Sequence, residues 1–280
     1  MSISWRQLTR PTVIRELMDR HGLSFKRSLG QNFLLDPGAV TRMVALSGLK
    51  EGERALEIGP GVGVLTGALA ETGAAVTAVE IDGRLLPALA ETLPPQVRLI
   101  HGDALALDAA ELTGPEPTRL VANLPYYITT DLLLRLLPHV ASATVMVQKE
   151  AVGRILAQPG QEGWGPLGVL VRRLFIPGGS FAVGAGCFMP RPRVDSAVVH
   201  LERARPTLED LPKFMALTKA VFAMRRKTLA NNLAAWRPDL DRGALARALA
   251  AAGVDPACRA ETLSPAQLEK LFEIVNTLTC

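Results

Sequence analysis

The feature that most constrains this chain is a short apolar run leading directly into a cluster of glycines. Residues Arg54–Ile58 predict a strand, the stretch Gly59-Pro60-Gly61-Val62-Gly63 follows, and an apolar helical pattern runs from Leu65 to Thr72. A strand, a glycine turn and a helix in this order form the start of a nucleotide-binding βαβ unit. The sequence therefore predicts an α/β fold with a Rossmann-like, mainly parallel sheet.

The spacing of the glycines and of two later acids indicates the ligand. A dinucleotide fingerprint reads GxGxxG, but Val64 occupies its last glycine position. Glu80 ends the next predicted strand, where a carboxylate accepts from both ribose hydroxyls, and Asp103 follows a third strand, where it can accept from an adenine amine. The set favours S-adenosylmethionine over a nicotinamide cofactor, and its predicted contacts are Gly59, Gly61, Glu80 and Asp103.

A fourth predicted strand, Leu120–Ala122, leads into Asn123-Leu124-Pro125-Tyr126 at the same edge of the sheet. An exocyclic amine of a nucleobase is a poor nucleophile because its lone pair is delocalised into the ring. The Asn123 side-chain oxygen and a main-chain oxygen at Leu124 or Pro125 can accept its two N–H bonds and localise that pair, while Tyr126 stacks on the base. The alternative is an ordinary strand end followed by a turn.

Two further loops carry candidate ligand residues. In Ser24–Leu34, Lys26 and Arg27 precede Asn32 and Leu34, which predicts either a plain basic loop or a lid whose cations face phosphates. The proline-spaced stretch Phe188–Ser196 presents one aromatic residue and two cations. Phe188 is expected to cover the second face of a flipped adenine, or to be core, and Arg191 and Arg193 are expected to hold the flanking backbone, or to be solvated.

The chain is expected to divide into a Rossmann-like domain, 1–202, that begins with a basic lid segment, 1–35, and a helical domain, 203–280. Residues 169–176 and 196–201 read as strands. In the second domain, the run Phe222–Leu233 predicts a helix whose basic face suits phosphates or is simply solvated, with the cations Arg225, Arg226 and Lys227.

Charge is distributed unevenly along the chain. Residues 1–35 hold six Lys or Arg against two acids, residues 36–202 hold thirteen against seventeen, and residues 203–280 hold twelve against eight. Basic ends around an acidic-leaning middle are typical of a small-molecule site flanked by surfaces that bind a polyanion, although solvated helix faces give the same distribution.

Composition excludes several classes of protein. No apolar run is long enough to span a bilayer, and no signal-type hydrophobic core follows the N-terminal arginines, so we expect a cytoplasmic protein. The three cysteines and four histidines are scattered, which argues against a disulfide framework and against a metal site. No sequence pattern indicates an oligomeric interface, and we expect a monomer.

Taken in order, these motifs resemble one family. They are Gly30-Gln31-Asn32-Phe33-Leu34, Glu57–Gly63, Val79-Glu80-Ile81-Asp82, Gly102-Asp103, Asn123–Tyr126, Phe188–Ser196 and Arg225–Leu233. The combination is similar to the small-subunit ribosomal RNA adenine dimethyltransferases over nearly the whole chain.

The resemblance implies transfer of methyl groups from S-adenosylmethionine to N6 of two adjacent adenosines near the 3′ end of the small-subunit RNA, during biogenesis of the small ribosomal subunit. It implies cofactor contacts at Asn32, Leu34, Gly59, Glu80, Asp103 and Asn123. The target adenine is expected among Asn123, Leu124, Pro125, Tyr126 and Phe188.

Three rival functions share parts of this pattern. Large-subunit ribosomal RNA adenine methyltransferases of the macrolide-resistance type share the glycine loop and Asn123–Tyr126, but the Arg225–Leu233 block argues against them. A DNA N6-adenine methyltransferase would act on the same atom. A ribosome-assembly or transcription factor could keep the fold without turnover, but four intact site residues argue against loss of activity: Asn123, Tyr126, Glu80 and Asp103.

Overall fold

The computed structural model describes residues 3–26 and 29–278, which form two compact units. The first unit comprises the chain up to Val152 together with Ile176–Arg203, and the second comprises Gly153–Phe175 and the chain from Ala204 onward. The predicted division, 1–202 and 203–280, has a boundary beside Arg203 but does not assign the segment 153–175 to the second part.

Seven strands of the described residues form one sheet. Their order is β4-β3-β2-β5-β6-β9-β7, in which the five strands from β4 to β6 are parallel to their neighbours and β9 runs antiparallel to β6. The strands are β2 (Arg54–Ile58), β3 (Ala75–Glu80), β4 (Arg98–His101), β5 (Thr118–Asn123), β6 (Ser142–Gln148), β7 (Phe175–Val183) and β9 (Ser196–Arg203). A separate antiparallel pair consists of β1 (Phe33–Leu34) and β8 (Phe188–Met189).

The strand order reverses between β2 and β5. Ligands of open α/β sheets bind outside the carboxyl ends of the strands at such a point. The glycine loop follows β2 and Asn123 ends β5, so the topology brings these two motifs to neighbouring strand ends. This arrangement confirms the predicted Rossmann-like α/β sheet.

Local sequence signals set the helices of the first unit. Asp36 caps α2 by accepting from the N–H groups of Gly38 and Ala39, and the helix ends at Gly48 with φ +62°. Helix α3 is buried along its whole length, as expected of a helix packed on a sheet. The helices are α1 (Pro11–Arg20), α2 (Pro37–Ser47), α3 (Val64–Ala70), α4 (Leu86–Thr92), α5 (Ala109–Thr113) and α6 (Thr129–Leu136), and α7 (Lys149–Leu156) contains the boundary at Val152.

The second unit is helical. Trp164 is 3% exposed and donates its indole N–H to the Leu263 carbonyl at 3.0 Å, and Arg173 pairs with Glu269 at 2.7 Å. These contacts join residues 153–175 to Leu263 and to Glu269 in the last described helix, which explains why that segment belongs to this unit. The helices are α8 (Pro166–Leu174), α9 (Leu211–Val221), α10 (Leu229–Trp236), α11 (Arg242–Ala251) and α12 (Pro265–Thr277).

Two secondary-structure predictions were wrong. The stretch 169–176 lies mostly in α8, which Pro166 starts as its first residue, and only its last two residues belong to β7. The predicted basic helix, Phe222–Leu233, begins only at Leu229, because Thr228 caps α10 by accepting from the Asn231 N–H. Arg225, Arg226 and Lys227 therefore lie in an exposed connection between α9 and α10.

Candidate active site

The glycine loop after β2 brings the main chain close to the space above the sheet edge. Gly59 and Gly61 have φ of +73° and +62°, in the left-handed region that favours glycine. A Cβ atom on Gly61 would lie 3.0 Å from two ring carbons of Phe33. The loop therefore requires glycine at this position for its backbone conformation and for its close packing.

One open cleft collects most of the predicted site. Its empty volume is ≈710 Å³, including the space open to solvent. It is lined by six of the seven predicted cofactor residues and by four of the five predicted catalytic residues, with Asn123 in both sets, namely Asn32, Gly59, Gly61, Glu80, Asp103, Asn123, Leu124, Pro125 and Tyr126. An adjoining cavity of ≈350 Å³ is lined by the remaining cofactor residue, Leu34, and by Glu57.

Glu80 is a buried carboxylate at the end of β3, with only 4% of its surface exposed. Burial raises the pKa of Glu80, and the N–H groups of Asp82 and Gly61 oppose that rise. Its Oε1 accepts from the Asp82 N–H at 2.8 Å. A buried carboxylate with few donors gains stability from added hydroxyl groups, so its environment fits a ribose.

Two further carboxyl groups, those of Asp103 and Glu57, differ in environment. Asp103 lies in the cleft, where its Oδ1 accepts from the Leu105 N–H at 2.8 Å and is fixed by this turn. Glu57 is fully buried, and its Oε2 has no hydrogen-bond partner among the described residues. Burial raises the pKa of Glu57 to about 8, the Thr66 hydroxyl opposes this rise, and Glu80 adds to it.

The orientation of the Asn123 side chain is defined by one hydrogen bond. Its Nδ2 donates to the main-chain carbonyl of Asn32 at 3.2 Å, and a carbonyl accepts only from the nitrogen side of an amide. The opposite atom, Asn123 Oδ1, is buried and lacks a partner within the described chain. The side chain of Asn32 is used elsewhere, because its Nδ2 donates to the Gly30 carbonyl at 2.9 Å.

The main-chain carbonyls of Leu124 and Pro125 are the two alternatives that the sequence left open for the second acceptor of the amine. The Pro125 carbonyl already accepts from Thr129 Oγ1 at 3.0 Å and from the Ile128 N–H at 3.4 Å. The main chain of Leu124 is held by its own N–H, which donates to the Met146 carbonyl at 3.0 Å. Since a carbonyl has two lone pairs, the Leu124 oxygen is the better second acceptor for an amine.

Tyr126 lines the cleft, and its hydroxyl is 2.6 Å from Ser196 Oγ. Ser196 is fully buried at the start of β9. Burial raises the pKa of Tyr126, and the Ser196 hydroxyl opposes that shift. The contact fixes the far end of the phenol ring, as a stacking platform requires.

Phe188 lies apart from the other predicted catalytic residues. It belongs to β8, opposite Leu34 of β1, and is 3% exposed within the hydrophobic core. It is not among the residues that line the cleft. Its predicted contact with the target base stays a prediction.

The predicted cations lie on exposed segments. Lys26 is exposed, and Arg27 lies outside the described residues. Arg191 and Arg193 line a groove of ≈660 Å³ that shares Gly30, Gln31 and Asn32 with the cleft, and they also line a second groove beside Lys149. Asn232, within the predicted basic helix Phe222–Leu233, is 2% exposed and donates to the carbonyls of Val221 and Met224, so it does not face outward with the cations.

Sequence reasoning missed two residues that support the site. Ser196 contacts Tyr126 from 70 residues away, and Asp82 accepts at Oδ2 from Gln31 Nε2, 2.9 Å away and 51 residues distant in the chain. Neither contact has a periodic signal in the sequence. The placement of Asp82 two residues after Glu80 was the available hint.

No three His, Cys, Asp or Glu side chains of residues 3–26 and 29–278 cluster as a metal site. None of the helices found in those ranges has the length and apolar character needed to cross a bilayer.

Comparison with known proteins agrees with this geometry. The sequence model of the ribosomal RNA adenine dimethylase family matches residues 22–277. The chain is 40% identical over 289 residues to Ribosomal RNA small subunit methyltransferase A of Enterococcus faecalis, in an alignment that covers 98% of this chain and 97% of the relative.

Solved structures show the same fold. A dimethyladenosine transferase from Plasmodium falciparum superposes with a TM-score of 0.71 at 23% identity, over 87% of this chain and 97% of that one. The 23S rRNA methyltransferase ErmE superposes with a TM-score of 0.60 at 30% identity, over 88% of this chain and 100% of that one.

The sheet order, the glycine loop and the turn after β5 define a Rossmann-like methyltransferase. Within that class, the chain belongs to the ribosomal RNA adenine dimethylase family. The family resemblance found in the sequence motifs is thereby confirmed.

Proposed function

We propose that this protein transfers methyl groups from S-adenosylmethionine to N6 of two adjacent adenosines near the 3′ end of small-subunit ribosomal RNA. The observation that carries the proposal is the buried Oδ1 of Asn123, which has no partner among the described residues, in a cleft that Leu124 also lines. Two acceptors at neighbouring positions suit an amino group with two N–H donors. The name of the Enterococcus faecalis relative supports the small subunit as substrate.

The cofactor assignment is supported by the fit between S-adenosylmethionine and the cleft. Glu80 is buried with few donors and gains partners from two ribose hydroxyls, and the glycine loop admits close approach of the ligand. When bound, S-adenosylmethionine supplies an electrophilic methyl group. The residues proposed to hold it are Asn32, Leu34, Gly59, Gly61, Glu80, Asp103 and Asn123.

The proposed catalytic step depends on alignment. Asn123 Oδ1 and the Leu124 carbonyl accept the two N–H bonds of the adenine amine, which moves the nitrogen lone pair out of conjugation and toward the methyl group. Pro125 restricts the backbone between these acceptors and Tyr126. The surplus proton of the methylated amine leaves to water. The same arrangement accepts the amine again after one methyl has been added, through its remaining N–H.

The base is proposed to stack on Tyr126, whose ring is held by Ser196. Phe188 is proposed to reach the second face of the base, which requires a change from its buried position in β8. Substitution of Phe188 by Leu keeps an apolar core residue and tests this role separately from folding.

Binding of the RNA backbone is assigned to the exposed cations. Arg191 and Arg193 border the grooves beside the cleft and are proposed to hold the nucleotides that flank the target. The remaining phosphate contacts are proposed for Lys26, Arg27, Arg225, Arg226 and Lys227. The proposed partner is the small ribosomal subunit, and the helical domain 203–280 is proposed to bind its RNA. The enzyme is proposed to act as a monomer, in the cytoplasm where that subunit is assembled.

Methyl-transfer assays on separated substrates test the proposal. The purified protein is incubated with labelled S-adenosylmethionine and small subunits that lack the modification, large subunits, or duplex DNA. We expect label in small-subunit RNA alone. Label confined to large-subunit RNA would favour a 23S rRNA methyltransferase activity like that of ErmE. Label in DNA would favour a DNA methyltransferase, and cofactor binding without transfer would favour an assembly factor.

A further inference from the structure

The Gln31 side chain connects the segment before β1 to the end of β3. Its Oε1 accepts from the Lys26 N–H at 2.8 Å, and its Nε2 donates to Asp82 Oδ2 at 2.9 Å. Residues 29–32 form one wall of the cleft, and the carboxyl end of β3 forms another. A single amide therefore joins two walls of the candidate site.

Asp82 is held in place by more than this contact. Its side chain is 3% exposed, and both of its oxygens accept from the Arg84 guanidinium, at 2.9 and 2.6 Å. The Arg84 guanidinium holds the pKa of Asp82 at about 2, with a smaller contribution from Gln31. The Gln31 hydrogen bond is thus made to a fixed, ionised carboxylate, and charge-assisted hydrogen bonds are stronger than neutral ones.

The main chain of Asp82 contacts Glu80, the residue proposed to bind the ribose. The Asp82 N–H donates to Glu80 Oε1 at 2.8 Å. On the other wall, the carbonyl of Asn32, next to Gln31, accepts from Asn123 Nδ2. The Gln31–Asp82 hydrogen bond consequently lies between the residue proposed to bind the ribose and the residue proposed to bind the target amine.

We propose that Gln31 and Asp82 are positioning residues for methyl transfer. Their hydrogen bond holds residues 29–32 against the end of β3, so that the Asn32 carbonyl keeps Asn123 Oδ1 directed at the amine while Glu80 receives the ribose. This inference rests on the proposed function. It assigns to both residues a role that does not require contact with the substrate.

An exchange of the amide and the carboxylate tests the inference. In Gln31→Glu, two carboxylates face each other, and in Asp82→Asn, one acceptor oxygen replaces the two that serve Gln31 and the Arg84 guanidinium. In the double variant Gln31→Glu/Asp82→Asn, the introduced amide can donate to the introduced carboxylate, and the net charge of the pair is kept. Because the amide nitrogen no longer accepts from Arg84, the double variant should recover part of the loss and not all of it. Gln161→Glu is the matched control, because Gln161 is exposed and its Oε1 also accepts from a main-chain N–H, that of Gln158, at 2.9 Å.

Three readouts are compared: the affinity for S-adenosylhomocysteine by calorimetry, kcat and KM for methyl transfer, and the thermal midpoint of unfolding. We expect each single variant to lose about tenfold in nucleoside affinity and in kcat, and the double variant to lose about tenfold as well, well short of the roughly hundredfold loss that independent effects would give. KM for the small subunit should stay within about twofold of the parent value in all of these variants. The Gln161→Glu control should also stay within about twofold of the parent in nucleoside affinity and in kcat. A merely structural role would lower the thermal midpoint without coupling in affinity or kcat.

The outcomes separate this inference from the proposed function. Additive losses in the double variant, or single variants equal to the parent, would overturn the positioning role. A parent protein that binds S-adenosylhomocysteine but transfers no methyl group would contradict the proposed function. The affinities of the parent, the two single variants and the double variant would then test by themselves whether Gln31 and Asp82 position the site. Absence of nucleoside binding by the parent would overturn both.

Discussion

The Asn123 amide is directed by a main-chain carbonyl, so its two ends are not interchangeable. In Asn123→Asp, a carboxylate oxygen would face the Asn32 carbonyl in place of Nδ2. Two acceptors at 3.2 Å repel, so the side chain must rotate and the acceptor for the amine is lost. We expect a loss of about 10²-fold or more in kcat, measured in single-turnover methyl transfer.

A second substitution at the same position is the control for Asn123→Asp. Asn123→Ala removes the acceptor without placing charge against Asn32, so it should lose turnover while the fold is retained. A near-normal kcat in either variant would contradict the assignment of Asn123 as the ligand of the amine.

Glu57 gives a prediction about pH. Burial raises the pKa of its carboxyl from 4.5 to about 8 in the folded protein, so the folded state holds a proton that the unfolded state releases. The free energy of unfolding of the parent should therefore fall as pH rises from about 4.5 to about 8. Glu57→Gln removes this dependence, and its thermal midpoint relative to the parent should rise across that range.

Glu53→Gln is the control for this measurement. Hydrogen bonding to Arg119 lowers the pKa of Glu53, so its stabilising contribution is complete above its unfolded pKa and is lost only in more acidic solution. The difference between this variant and the parent should be constant between about pH 5.5 and 8. A constant difference for Glu57→Gln as well would contradict the buried, protonated state of Glu57.

Individual residues of the site were predictable where short motifs carry them. Gly59, Glu80, Asp103 and Asn123 each follow a predicted strand, and the parallel sheet brings such positions together. Their partners were not predictable, because the contacts of Tyr126 with Ser196 and of Gln31 with Asp82 depend on chain segments 70 and 51 residues apart.

At the scale of elements, the loop between β2 and α3 depends on Gly61. In Gly61→Ala, the left-handed backbone costs about 1–2 kcal/mol, and the added methyl group lies against the Phe33 ring. We expect a lower free energy of unfolding together with a loss of S-adenosylmethionine affinity, measured by denaturant titration and calorimetry.

Gly48→Ala separates the loss of stability from the loss of S-adenosylmethionine affinity. Gly48 ends α2 with the same φ of +62°, but a Cβ atom there has no neighbour within 4 Å. This variant should lose similar stability and keep its affinity for the cofactor. Equal cofactor affinity in both variants would show that the loop after β2 is not in contact with the ligand.

The prediction of elements succeeded where a glycine marks the boundary, as at the end of β2, where the strand Arg54–Ile58 stops before Gly59. It failed for 169–176, because a short apolar run fits a buried strand and a buried helix equally well, and only the preceding Pro166 favoured the helix. It failed again before Leu229, because the cations of the connection have good helix propensity and only Thr228, a preferred N-cap residue, marks the start of the helix.

At the scale of the whole molecule, the exposed cations of the second unit should bind the subunit without affecting the chemistry. The triple variant Arg225→Gln/Arg226→Gln/Lys227→Gln should raise KM for the small subunit and reduce the salt dependence of binding, because each lost phosphate contact lowers the slope by roughly 0.7–0.9. Affinity for S-adenosylmethionine should be unchanged. Binding is measured at several salt concentrations.

A second triple variant, Arg242→Gln/Arg247→Gln/Arg259→Gln, removes the same charge from other exposed positions of that unit. It should shift KM much less. Equal effects of the two variants would indicate a general attraction to RNA, with no specific role for the connection between α9 and α10.

The most direct test of the central claim is a mass-spectrometric count of N6,N6-dimethyladenosine in the 3′-terminal fragment of small-subunit RNA. Small subunits that lack the modification are incubated with S-adenosylmethionine and either the parent protein or Asn123→Ala. We expect dimethyladenosine at two adjacent positions with the parent and none with the variant. Methylation at another atom, its absence with the parent, or equal yields from both proteins would contradict the account.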